Sequence, residues 1–335
     1  MKRIHYVDIA KGICIICVVL GHVCFGNNFL NNFINSFDLP CFFIITGILN
    51  KKRKLEAQEM NLQGVKKRCM ALLWPYMTFS IIALCYKVLA YFIISHGSLE
   101  DILYAVKLTL TLDGYSTLWF IPTLLFAELL LFVGVKTKTY KRIVFIVIIS
   151  IIVFYILGNS INENTSNLLV QVERVCYAYS FLVIGYEGVN LVEYSRSKID
   201  GIRIGCAFII GIIIARKNGY IDLHHGYVGN PILYFVGAVV TSYCVLRICY
   251  IIKENVILEY FGKNSLIVMA THLPLPMITV GSIIINKMGI VNTYVANVIV
   301  SLFVICLEIL VIIFINKVCP YLVKLPKGKI KLRIE

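Results

Sequence analysis

Apolar residues run along this chain in blocks of about twenty, separated by short polar connections. A block of about 20 residues rises roughly 30 Å as a helix, which matches the hydrocarbon core of a bilayer. The pattern predicts about ten spanning helices, over 9–26, 33–50, 69–94, 118–135, 143–158, 174–192, 202–216, 231–252, 264–286 and 293–317. The connections are too short for a soluble domain, so the expectation is a single all-α transmembrane bundle over 1–335. In the long connection 95–117, the stretch Ile102 to Leu112 reads as a short helix that lies on the membrane or folds back. No internal repeat stands out, which weakens a transporter built from duplicated halves.

Composition agrees with the pattern: 59% of residues are hydrophobic and only 15% charged, far from the balance of a soluble domain. A net charge of +14 would suggest nucleic acid in a soluble protein, but the basic residues gather in alternate connections. Seven lie in 51–68, four in 136–142 and six between Lys317 and Arg333, while 27–32 holds none. This is the positive-inside asymmetry. It predicts both termini in the cytoplasm and excludes a nucleic-acid partner. The first block begins like a signal peptide, yet Asp8 and Lys11 interrupt it and no small-residue cleavage site follows, so it is expected to be retained. The twelve cysteines are scattered through apolar runs. Cys14 and Cys17 form a CxxC flanked by Ile, Val and Leu, which reads as buried apolar packing rather than a metal or redox site.

Three polar residues in the first block carry the clearest chemistry. Lys11 and His22 are eleven residues apart, three turns plus about 20°, so they share one helix face about 16 Å apart along the axis. Asp8 lies one turn before Lys11 on nearly the same stripe. Ionisable groups in a span cost about 2.5–3.5 kcal/mol each, which makes function the default reading. A neutral imidazole at His22 suits a general base that takes a proton from a hydroxyl; the bland reading is a histidine satisfied by a neighbouring carbonyl. Lys11 is either a donor-side contact or a snorkelling lysine with Asp8 as its partner.

Asp38, before Pro40, is placed near the same outer end as His22, where it either orients the imidazole or caps its helix. Lys66, Lys67 and Arg68 are a topogenic cluster or a patch for the phosphates of a cytoplasmic molecule. Trp119 is an interfacial belt residue or a substrate platform. Glu128 falls mid-span, where Arg174 is either its partner or a residue at the headgroups, and His272 falls mid-span before Pro274 and Pro276. His224 and His225 are expected to be solvated in an outside loop.

Taken together, these segments resemble the acyltransferase-3 family of bacterial membrane O-acyltransferases, particularly its fucose 4-O-acetylase-like branch. The resemblance covers nearly the whole chain. Its most specific part is the basic-residue-x10-His pattern on Lys11 and His22, preceded by Asp8. Phe37-Asp-Leu-Pro40 to Thr46-Gly47, Lys67-Arg68 to Pro75-Tyr76, Leu118-Trp119-Phe120, Gly185-Tyr186 and Gly262 to His272 are similar to later family segments. One departure is Asp38, where family members often carry histidine.

The resemblance implies a multi-pass protein of the bacterial cytoplasmic membrane that uses acetyl-CoA, or another acyl-CoA, as donor substrate with no tightly bound cofactor. The acceptor it implies is a carbohydrate hydroxyl on a surface polysaccharide or lipid-linked sugar. His22, Asp38 and Asp8 would form the catalytic set, and Lys11, Lys66, Lys67 and Arg68 the donor contacts. Trp119, Glu128 and His272 would serve the acceptor. His22 would act as base on the hydroxyl or accept the acyl group itself. The competing readings are a polytopic secondary transporter and a non-catalytic membrane protein of envelope assembly.

Overall fold

The computed structural model describes residues 3–24, 28–57, 62–94, 97–136, 167–287 and 293–324. Within them the chain forms helices joined by short turns, with one isolated β-bridge between Asp222 and Tyr227. The helices are α1 (His5–Val23), α2 (Phe29–Asn35), α3 (Asp38–Ala57), α4 (Leu62–Ile94), α5 (Leu99–Leu110), α6 (Phe120–Lys136) and α7 (Asn167–Glu187). They continue as α8 (Val189–Val192), α9 (Asp200–Asn218), α10 (Pro231–Ile252), α11 (Val256–Lys263), α12 (Ser265–Thr271), α13 (Met277–Lys287) and α14 (Thr293–Val318).

Seven stretches among the described residues are long and apolar enough to cross a membrane. They match the expected spans one, two, three, four, six, eight and ten. Expected span 143–158 lies outside the described residues. Span 202–216 corresponds to α9, whose 19 residues carry Asp200, Arg203, Arg216 and Lys217, too much charge to be counted by composition. Span 264–286 is divided: α12 ends at Thr271, and the chain turns through Pro274 and Pro276 before α13, because a proline ring blocks the helical ladder. The stretch after residue 98 is helical, as α5. Its start is fixed by a capping box in which Ser98 accepts from the Asp101 amide and Asp101 accepts from the Ser98 amide.

α1 is the central helix. It packs against α2, α3, α10, α11, α12 and α14, and Ile9, Ala10, Cys14 and Ile15 on it are wholly buried. Close approach to α11 depends on two glycines. A Cβ on Gly12 would stand 2.0 Å from the Leu258 carbonyl oxygen, and one on Gly262 would stand 1.8 Å from that of Asp8. The α3–α7 pair is built the same way. A Cβ on Gly47 would meet the Leu182 oxygen at 2.0 Å, and one on Gly185 the Ile44 oxygen at 1.9 Å. Small residues are the general device for close helix packing in lipid, where no hydrophobic force between helices helps.

Gly185→Val is therefore expected to force α3 and α7 apart and to cost at least the ~1–3 kcal/mol of ordinary overpacking. The measurement is the thermal midpoint of the detergent-solubilised protein. A midpoint equal to wild type would show that the two helices do not need backbone contact.

At the end of the bundle that bears Lys11, Arg247 is a buried clamp. Its side chain is wholly buried in α10. It donates to the carbonyls of Val192 and Tyr194 at 2.8 Å and to Asp200 Oδ2 at 2.6 Å, and its guanidinium lies 3.6 Å from the Tyr194 ring centroid. One residue thus holds the α8–α9 connection, the start of α9 and α10 together.

Candidate active site

The far end of α1 opens into a cavity of about 320 Å³. His22 lines it from α1, and Asn31, Asn35, Asp38 and Leu39 from α2 and α3. Ser116, Thr117, Trp119 and Phe120 close it from the start of α6, and the 219–230 loop adds Tyr220, Asp222, His224 and His225. Helical spacing puts His22 there. A single turn between α2 and α3 then brings Asp38 to the same level.

Asp38 is buried, and its Oδ1 accepts from the Leu39 amide at 2.6 Å. The carboxylate therefore starts α3 and faces the cavity at once, and no hydrogen bond joins it to His22. Trp119 is only 5% exposed, with little of its indole open to a substrate. It stacks on His224 at 5.5 Å between centroids and lies under the Arg174 guanidinium at 5.1 Å. Arg174 forms a buried ion pair with Asp113, so the indole sits in a fixed frame. Ser116, next to it, has φ +54°, an uncommon conformation for a non-glycine residue.

Of the two histidines in the 219–230 loop, His225 is exposed, as expected, whereas His224 is partly buried and departs from the expectation of a solvated side chain. Asp222 accepts from the backbone amides of His224 and His225 and bonds the His225 ring at 2.8 Å. Asn35 Nδ2 anchors the loop by donating to the Ile221 carbonyl at 3.0 Å. Folded back in this way, the loop places His224 in the cavity wall. Burial there holds its pKa well below the usual imidazole value, and the nearby His225 and Arg174 charges add to the effect. The hydrogen bond to Asp222 raises the His225 pKa instead. The sequence did contain a signal for this site: the alternation of basic connections puts this loop on the same side as His22.

His272 is wholly buried and does not line the cavity; its ring lies behind His22 with centroids 5.2 Å apart.

The Lys11 end of α1 holds a different set of groups. Lys11 lies in the field of Asp8, Arg68, Arg53 and Glu128. Arg68 donates to Glu128 at 2.8 Å, and Asn50 Nδ2 donates to the other Glu128 oxygen at 3.1 Å. A Glu128–Arg174 pair does not form: α6 carries Glu128 to Arg68, α7 holds Arg174 beside Asp113 and Trp119, and each finds its own partner. It also removes Glu128 from the cavity that holds Trp119. Asp8 bonds Arg3 at 2.8 Å. Lys66 and Lys67 are exposed on the first turns of α4, just before Arg68.

Arg53 is the basic residue that the motif reading passed over. α3 runs antiparallel to α1, and the fifteen residues from Asp38 to Arg53 rise about 22 Å. That spacing alone brings Arg53 level with Lys11. Two chemically distinct ends result, one rich in cations and one with imidazoles, carboxylates and amides around a cavity. α1 joins them.

The family model described as an acyltransferase domain matches residues 4–317. No curated protein and no solved structure matches the chain.

Proposed function

Because the chain belongs to the acyltransferase-3 family of membrane acyltransferases, we propose that it moves an acetyl group from cytoplasmic acetyl-CoA to a hydroxyl of a surface glycan or lipid-linked sugar. The observation that carries this reading is the position of His22: an imidazole in the wall of a cavity that also holds carboxylates and amides, on the same helix face as a lysine in a cationic cluster. In this reading the Lys11 end faces the cytoplasm and the His22 end faces outward.

Lys11 and Arg53, with Lys66 and Lys67 at the rim, bind the phosphates of the donor. Arg68 contributes through its outer guanidinium nitrogens while Glu128 holds Nε. The pantetheine arm then follows α1 toward His22, an interval of about 16 Å. His22 takes the proton from the acceptor hydroxyl as its oxygen attacks the thioester carbonyl. The C–O bond forms, the C–S bond breaks, and the proton leaves His22 for the departing thiolate. Asp38, Asn31 and Asn35 orient the sugar hydroxyls. Trp119 contributes the edge of its ring. Asp8 keeps Arg3 against the start of α1, and His272 backs the base.

Cells from which the gene is deleted are expected to lose base-releasable acetate from their surface glycan, and a plasmid copy is expected to restore it. Undiminished acetate in the deletion strain would overturn the reading.

A further inference from the structure

α12 is a short helix held on three sides. Thr117 Oγ1, from the turn that carries Trp119, donates to the Met269 carbonyl at 2.6 Å. Thr271 Oγ1 lies 2.9 Å from both carboxyl oxygens of Glu308 in α14. The next residue is His272, and its Nδ1 stands 2.6 Å from the Val268 carbonyl oxygen. A carbonyl oxygen only accepts, so Nδ1 carries the proton and Nε2 is left as a bare lone pair. No protein group among the described residues bonds that buried nitrogen. A polar atom shut away from water without a partner is costly, and native structures rarely leave one without a reason.

The ring facing His272 is His22. The centroids are 5.2 Å apart and the planes are tilted by 42°. That separation is compatible with an N–H···N hydrogen bond of ~2.9 Å between the two rings once His22 is turned toward Nε2. The other side of His22 faces the cavity.

We propose that His272 is the positioning residue for His22. Its Nε2 accepts the His22 N–H, which fixes the His22 tautomer and keeps the cavity-facing nitrogen unprotonated. This deepens the acyltransferase reading and rests on it for its consequence in catalysis. A free imidazole divides itself between two tautomers, and only one of them presents a lone pair to the acceptor hydroxyl. When His22 takes the hydroxyl proton, both its nitrogens carry hydrogen. The bond to His272 persists, and the proton later given to the thiolate is the one on the cavity side. His272 itself exchanges no proton. The break at Pro274 and Pro276 ends α12 immediately after His272 and so sets the depth at which its ring meets α1.

The test uses full-length protein in lipid nanodiscs with 15N-labelled histidine, His22 being assigned by its absence in His22→Gln. Wild-type His22 is expected to show one neutral tautomer, and His272→Leu to show a mixture. His272→Gln, whose carboxamide oxygen restores an acceptor, is expected to return the single tautomer. His272→Asn, polar but too short to reach, is expected to behave as His272→Leu does and covers the case in which leucine disturbs folding. In cells, His272→Leu is expected to slow glycan acetylation by about 10–100-fold, with His272→Gln recovering most of that loss. An unchanged His22 tautomer in both His272→Leu and His272→Asn would overturn the positioning role. The spectroscopic arm needs no substrate. Absence of acetylation by the wild type would therefore sink the acyltransferase reading while leaving the hydrogen bond to be judged on its own.

Discussion

His22→Ala is expected to lower glycan acetylation by about 10²–10⁴-fold, the usual contribution of a general base, while the amount of folded protein stays at the wild-type level. The two halves of this expectation have separate physical reasons. His22 borders a cavity of about 320 Å³, so truncation enlarges an existing space instead of opening a new void in packed core. The packing of α1 rests on Ile9, Ala10, Cys14 and Ile15 and on the Gly12 contact with α11, none of which touches position 22. The rate falls because the hydroxyl keeps its proton and the nearest imidazole, His272, lies behind His22 and does not line the cavity. His224, which also lines the cavity, is held in a stack on Trp119. Acetate on the glycan and the band intensity of the protein in the same membranes check both halves together. Full acetylation by the alanine variant would remove His22 from the chemistry.

Arg247→Ala is expected to do the reverse and prevent the folded protein from accumulating. The substitution leaves Asp200 buried without its cation, and the Val192 and Tyr194 carbonyls lose their donor. Breaking one side of a buried ion pair costs about 3–5 kcal/mol, a large part of a typical total stability of about 5–15 kcal/mol. Arg247→Lys is expected to recover only part of the loss, since an ammonium cannot reach two carbonyls and a carboxylate in one plane. The double variant Arg247→Met with Asp200→Leu is expected to be more stable than Arg247→Ala, because it leaves no unpaired buried charge. The thermal midpoint in detergent ranks the variants, and a wild-type midpoint for Arg247→Ala would show that the clamp bears no weight.

These two residues also mark what can be read from one sequence. The significance of His22 was legible because it shares a helix with Lys11, and the period of an α-helix converts eleven residues into a face and a distance. Arg53 was legible in principle by the same arithmetic, carried along an antiparallel neighbour. Arg247 was not. In the chain it is one more basic residue near a polar connection, and only the folding of the 193–199 segment over α10 turns it into a buried clamp. Glu128 and Arg174 failed for the same reason. Each was correctly seen as a charge that needs a partner, but Arg68 and Asp113 are 60 and 61 residues away from them in sequence, and no local pattern reports such a pairing. His224 changed from solvated to wall-forming because Asp222 and Asn35 fold its loop inward.

The sequence by itself determined the membrane-spanning helical class, the stripe on α1 and the family, because apolar run length, helical period and short motifs are all local quantities. The tertiary structure alone decided which charges pair, which histidines meet and where the cavity lies. Those depend on helices brought together by glycine contacts and buried ion pairs between residues far apart in the chain, where the free energy of a side chain is set by its neighbours in space.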